Sequence, residues 1–169
     1  MKFLPRATAL VLLLTPAVLH ADDWPQWLGA KGDSHWNETG LLAKFPAAGP
    51  VVKWRVPVRW GYSGPAVAAG KVFLMDYDIT EGTPDANPGG RTKIQGRERV
   101  RCFEPATGKE LWTHAYDAPY ELSFPAGPRC TPTVDGDLVY SLGAEGMLTC
   151  LSIADGKPLW EMDLKKSYQ

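Results

Sequence analysis

The chain has 169 residues, long enough for one ordinary domain, and 17 Gly with 15 Pro put turn formers at about 19% of positions against a usual 12% or so. Seven Trp in so turn-rich a chain exclude the aromatic-poor composition of a disordered segment. The formal net charge of −1 becomes −3 once Lys2 and Arg6 leave with the segment described next, which excludes a polyelectrolyte surface for nucleic acid.

Lys2 and Arg6 precede an apolar run from Ala7 to Leu19 that ends at Ala21, ahead of Asp22-Asp23. This is the pattern of a secretory signal peptide over residues 1–21. Leu19, three residues before that cut, is larger than the small residue preferred there, so a cut a few residues away or an uncleaved anchor stays open. The run is shorter than the ~20 residues of a transmembrane helix, and no Cys near the cut offers a site for a lipid. The expected product is periplasmic or secreted, with no stable membrane span after cleavage.

Residues 22–50 form an N-terminal leader, and the rest of the chain, 51–169, reads as short strands broken by turns. Val51 to Val56 is a lone strand carrying Trp54. A first unit follows: Pro65 to Val67, a turn at Gly70, Val72 to Tyr77, Arg99 to Phe103, the turn Thr107-Gly108-Lys109, and Leu111 to Ala115. The second repeats it over Thr131 to Met162, with turns at Asp135-Gly136, Gly143 to Gly146 and Asp155-Gly156-Lys157. Cys102, Gly108, Lys109 and Trp112 recur 48 residues later as Cys150, Gly156, Lys157 and Trp160. A period of this size marks a repeat architecture in which each unit buries its apolar face only against a neighbour. Four strands in about 35 residues is one propeller blade. Aligning Gly70 with Gly136 gives an offset of 66 for the earlier half of the unit, which places an 18-residue insertion at about residues 79–96. Its run Glu81 to Gly90 is rich in turn formers, and the expected form is a surface loop, alternatively one that shapes a ligand or partner surface.

On these residues the chain resembles the pyrroloquinoline-quinone-like (PQQ-like, quinoprotein) β-propeller repeat family. Thr107, Gly108, Lys109 and Trp112 carry the resemblance, with Gly156, Lys157 and Trp160 as the second copy. The opening Asp23-Trp24-Pro25-Gln26-Trp27-Leu28-Gly29 is similar to the leader of exported bacterial members. The resemblance implies an all-β partial propeller of four-stranded antiparallel blades, about two blades plus an N-terminal closing strand, as the N-terminal piece of a longer ring. It also implies that Trp54, Trp112 and Trp160 pack between neighbouring blades, each above a turn glycine. No adjacent Cys-Cys pair and no mappable Glu, Asn and Asp set is present, so no cofactor is expected for this chain alone, although PQQ with calcium stays possible in a full-length protein.

Other constellations read as structural. Ser63 in Gly61-Tyr62-Ser63-Gly64-Pro65 lacks the second glycine of a nucleophile elbow. Asp76 and Asp78 share a strand face and could take a cation, but a solvated strand end is the plainer reading. His35 and His114 have no second ligand at zinc spacing, and Asn37-Glu38-Thr39 is a glycosylation sequon that the implied bacterial origin leaves idle. Arg97, Arg99 and Arg101 read as a solvated face, and Trp60, Tyr62, Tyr77, Tyr116 and Tyr120 as interblade packing before a ligand surface. Cys102 and Cys150 read as small buried residues, with Cys130 in a loop. No catalytic residue and no metal site is assigned. The function expected is that of an exported propeller scaffold binding a ligand or protein, its partners being the remaining blades or another chain. The alternative is the N-terminal part of a PQQ-dependent alcohol or sugar dehydrogenase.

Overall fold

A computed structural model describes residues 21–84, 90–122 and 126–168; apart from its last residue, the signal-peptide segment lies outside them. The first sheet runs β1 (Ala66–Ala68), β2 (Lys71–Glu81), β3 (Thr92–Phe103) and β4 (Glu110–Asp117), with β5 (Tyr120–Leu122) paired to the start of β3. The second runs β6 (Thr133–Asp135), β7 (Leu138–Leu142), β8 (Met147–Ser152) and β9 (Pro158–Asp163), followed by the single-turn α1 (Leu164–Ser167). Every pairing is antiparallel and joins sequential neighbours, apart from β3 with β5. These are two blades of a partial propeller. No helix among the described residues is long and apolar enough to cross a membrane.

The core lies between the blades, because alternation turns one face of each sheet toward the other. Ala66, Ala68, Phe73, Met75, Val100 and Cys102 of the first blade meet Val134, Val139, Leu151 and Ile153 of the second, with Trp112 packed against them. Each Val, Leu, Ile, Phe or Met among them stabilises by roughly 1.5–3 kcal/mol when fully buried. The two units superpose in detail. Cys102 faces Trp112 as Cys150 faces Trp160, and each ladder slips by one residue at the next position. In the earlier half, Ala66 faces Phe73 and Thr133 faces Tyr140, an offset of 67 and not the 66 that glycine matching gives. The difference arises at the turn, where Ala69 takes the left-handed φ of 50° that Gly136 takes, at 55°, in the second unit.

The insertion is not simply a loop. Residues 79–81 extend β2, and 92–96 extend β3, where Thr92 to Ile94 pair with Leu122 to Tyr120. The Tyr77 ring stacks on Tyr120 at 4.0 Å, and Ile94, Ala118 and Ala126 close a second, smaller core around them. Gly96 makes this possible, since a Cβ there would sit 2.5 Å from Tyr77 Cζ. The tip, residues 85–89, lies outside the described residues.

Val51 to Val56 enters no ladder, because no neighbouring strand lies beside it among the described residues. The leader instead ties the blades together on the side where β1 and β6 meet. Trp24 and Val67 exchange both backbone hydrogen bonds, at 2.7 and 2.9 Å, and the Val134 N–H donates to Pro25 O at 2.8 Å. Asp23 accepts from the Ala69 N–H at 3.1 Å.

Candidate functional site

The β3–β4 and β8–β9 turns are built alike from different residues. Gly108 and Gly156 sit at φ 73° and 70°, and their N–H groups donate to Glu104 O and Ser152 O at 2.8 and 2.9 Å. In the first turn the Thr107 hydroxyl accepts from Lys109 N–H at 3.2 Å; in the second the Asp155 carboxylate accepts from Lys157 N–H at 3.3 Å. A tryptophan covers each glycine. The Trp54 ring lies over Gly108 and its Nε1–H donates to Pro105 O at 2.8 Å. Trp112 lies over Gly156 and donates to Ile153 O at 3.1 Å. The acceptor is the residue three before the glycine in both. A Cβ on Gly108 or Gly156 would come within 2.7 or 2.5 Å of the indole, so no other residue type fits beneath it.

Trp160 holds the same register position, and among the described residues neither a turn glycine nor an acceptor carbonyl lies beneath it. Its indole Nε1 has no hydrogen-bond partner among the described residues; the residue is 44% exposed, and its ring tilts against Tyr140 at 6.1 Å. It belongs to a face. Phe73, Met75, Val100, Cys102 and Trp112, which the second blade covers, recur as Tyr140, Leu142, Leu148, Cys150 and Trp160, against which no further sheet packs among the described residues; Cys150 is buried, Tyr140, Leu142 and Leu148 are half-buried, and Trp160 is exposed. Met162 and Leu159 beside them are 43% and 59% exposed.

At one end this face opens into a cleft of about 490 Å³ whose far wall is Trp27 of the leader, Tyr62 and the 129–131 segment. The Arg129 guanidinium stands 5.7 Å over the Tyr62 ring, and the buried Thr131 hydroxyl has no hydrogen-bond partner among the described residues. The Cys130 thiol is exposed nearby, whereas Cys102 and Cys150 are buried. Burial pushes the Cys102 thiol up to about 11, which keeps it protonated and inert.

Several sequence readings are corrected by the side chains. Asp76 is no solvated strand end: it is 1% exposed, bound by Arg99 through two hydrogen bonds of 2.7 Å, by Arg101 at 3.2 Å and by the Arg59 N–H at 3.0 Å. Burial alone would raise its carboxyl, but the hydrogen bonds from Arg99 and Arg59 and the two guanidinium charges outweigh burial and hold it below the usual 3.8. Arg99 and Arg101 are therefore not a solvated face, and Asp78 pairs with Arg59 at 3.2 Å. Among the described residues no group of three His, Cys, Asp or Glu converges as metal ligands would. His114 meets Glu161 of the second blade at 3.0 Å. Ser63 accepts from Met75 N–H at 3.2 Å, a backbone tie.

Glu98 was not legible as a special residue. It is 1% exposed, accepts from the Tyr116 and Tyr120 hydroxyls, and crosses to the second blade to accept from Ala144 N–H at 2.7 Å. Burial, then the Glu98 charge, raises both tyrosines and keeps them as donors. Of the aromatic set, Tyr77, Tyr116 and Tyr120 gather here, while Trp60 and Tyr62 lie along the segment crossing the first blade.

A scan of family models matches residues 96–169 to the PQQ_2 family, described as outer membrane protein assembly factor BamB. The match covers the later strands of the first sheet and the whole of the second. A similar solved structure is BamB from Moraxella catarrhalis, at 20% identity, TM-score 0.31, with 62% of this chain and 33% of that chain covered. The repeat segment thus spans about a third of that structure's length. A search of curated proteins finds no match.

Proposed function

We propose that this PQQ-like repeat chain is an exported propeller scaffold that works by docking further protein against its second blade, and that it carries out no covalent chemistry of its own. One observation carries the reading: the register positions that seal the first blade to the second recur on the second blade's far side, where no further sheet packs on them among the described residues and Trp160 is exposed. Export rests on the basic Lys2 and Arg6 ahead of the apolar run to Leu19. The matched family is described by an outer-membrane assembly factor, which fits a protein-binding role in the same compartment.

No feature of the site favours the dehydrogenase alternative. Asp76 and Glu98, the two buried carboxylates of the first blade, are occupied by Arg99 with Arg101 and by tyrosine hydroxyls. The test has two arms. A tagged chain expressed in a bacterial host should be recovered, shortened, from the periplasmic fraction, and the purified protein should leave the absorbance of PQQ with calcium unchanged. Cytoplasmic retention sinks the export reading; saturable micromolar quinone binding sinks the scaffold reading.

A further inference from the structure

We infer that the signal segment is cut between Ala21 and Asp22, and that the α-ammonium created by the cut is held by the Glu38 carboxylate in an ion pair that closes the leader into a clamp across both blades. Both statements rest on export, as proposed above. The Asp22 backbone nitrogen donates to Glu38 Oε1, 16 residues further along the chain. Between these two residues the leader is bonded to itself. Gly29 N–H donates to Gln26 O at 3.1 Å, Ser34 N–H to Leu28 O at 2.9 Å, and His35 N–H to Asp33 Oδ1 at 2.9 Å. Residues 22–38 are thus a surface loop whose two ends meet. Glu38 is half-buried, whereas every residue from 30 to 37 is exposed.

This loop is what ties β1 to β6. Asp23 accepts from Ala69 N–H at 3.1 Å, Val67 N–H donates to Trp24 O at 2.9 Å, and Val134 N–H donates to Pro25 O at 2.8 Å. Three consecutive residues therefore hold amides of both blades, and the residue just ahead of them is the one bonded to Glu38. The Asp23 carboxylate is taken by Ala69, so the acceptor set against the Asp22 nitrogen is Glu38. Before the cut that nitrogen is an amide with a single hydrogen to donate. Hydrolysis by the host's signal peptidase breaks the Ala21 C–N bond. The hydroxyl of water goes to the Ala21 carbonyl carbon and its hydrogen to the Asp22 nitrogen. The resulting α-amine, a group that titrates at about pH 7.7–8.0, takes up a further proton at neutral pH. Glu38 then faces a full positive charge at the position where it faced an amide dipole, which strengthens the contact. Ala21 supplies the small residue that the peptidase prefers before its cut. A cut elsewhere forms no such pair, because loss of Asp22 removes the donor and retention of Ala21 keeps an amide there. The clamp is weaker in the precursor than in the mature chain.

The test uses the exported products of the full-length chain and of its Glu38→Gln variant. Shortened wild-type protein from the periplasm should have the mass of a chain beginning at Asp22. Any other first residue overturns the inference and leaves export standing, whereas an unshortened chain in the cytoplasm overturns both. At pH 7, amide exchange at Val67, Ala69 and Val134 should be about 2- to 5-fold faster in E38Q than in wild type, the fold-change that an exposed ion pair supports. Acetylating the wild-type α-amine at about pH 6.5, where lysines stay protonated, should reproduce that acceleration. The same acetylation of E38Q should change nothing further. Equal rates in wild type and E38Q, an acetylation effect that persists in E38Q, or an acceleration that extends equally to β7 and β8 overturns the pair. Should E38Q fail to fold by circular dichroism, acetylated wild type decides the matter, and unchanged exchange at the three amides overturns the inference.

Discussion

Gly156 and Gly136 both lie at positive φ, 70° and 55°, yet their surroundings differ: a Cβ on Gly156 would meet the Trp112 ring at 2.5 Å, and one on Gly136 would meet nothing within 4 Å. Both substitutions to alanine incur the left-handed penalty of roughly 1–2 kcal/mol. Only Gly156→Ala adds overpacking, of about 1–3 kcal/mol. Urea denaturation should therefore show G156A less stable than G136A by about that second amount; equal losses would mean that the ring moves aside freely. Asp76 gives a second residue-scale expectation. A carboxyl held below its unfolded pKa contributes stability that is complete above the unfolded value, about 3.9, and is lost as pH falls through the folded one. Wild-type stability should accordingly begin to drop near pH 4. Asp76→Asn, which strands Arg99 and Arg101 in a buried site, should cost about 3–5 kcal/mol at pH 7 and flatten that acid limb. An unchanged slope in D76N would assign the acid loss to other carboxylates.

At the scale of elements, the lobe made by β2, β3 and β5 is fastened to the second blade through Glu98. Glu98→Ala removes the acceptor of two buried hydroxyls and of the Ala144 N–H. Leaving buried donors unpaired costs roughly 1–3 kcal/mol each, so the loss should exceed that of an ordinary core truncation of similar size. It should be accompanied by faster amide exchange at Ala144 and in β5 than in β2. Uniform acceleration throughout the chain would instead make Glu98 a general core residue. The strands and both glycine turns were legible because period-2 alternation and turn residues recur at a fixed spacing. Other features were not. Tyr120–Leu122 is too short to show alternation, and its partner lies inside the insertion. The leader bonds through backbone groups of Trp24 and Pro25, which no side-chain pattern reports. Asp76 and Arg101 looked solvated because alternation assigns residues to a face without saying that residues 57–62 cross it; Arg101 in fact donates to Pro57 O at 3.1 Å. The register offset of 67 was obscured because Ala69 takes a conformation that sequence reasoning reserves for glycine.

For the whole molecule the consequence is an asymmetry in where stability resides. The first blade is covered on one side by residues 54–62 and on the other by the second blade, whereas among the described residues no further sheet packs on the second blade's far side. Two tryptophans at equivalent register positions make the asymmetry measurable. Trp112 packs against the interblade core, tilts on Phe73 at 5.8 Å and donates to Ile153 O. Trp112→Ala should therefore cost about 3–5 kcal/mol, the range for truncating a large buried aromatic. Since a domain's whole margin is about 5–15 kcal/mol, that loss should take the isolated chain most of the way to unfolding. Trp160, 44% exposed and with no hydrogen-bond partner among the described residues, has far less to lose. Trp160→Ala should shift the midpoint by under about 1 kcal/mol, in the range of surface substitutions. The gap between the two should close only when the second blade's face is covered. Equal costs of the two substitutions in the isolated chain would show that the second blade is already sealed, and that its far side is not a docking face.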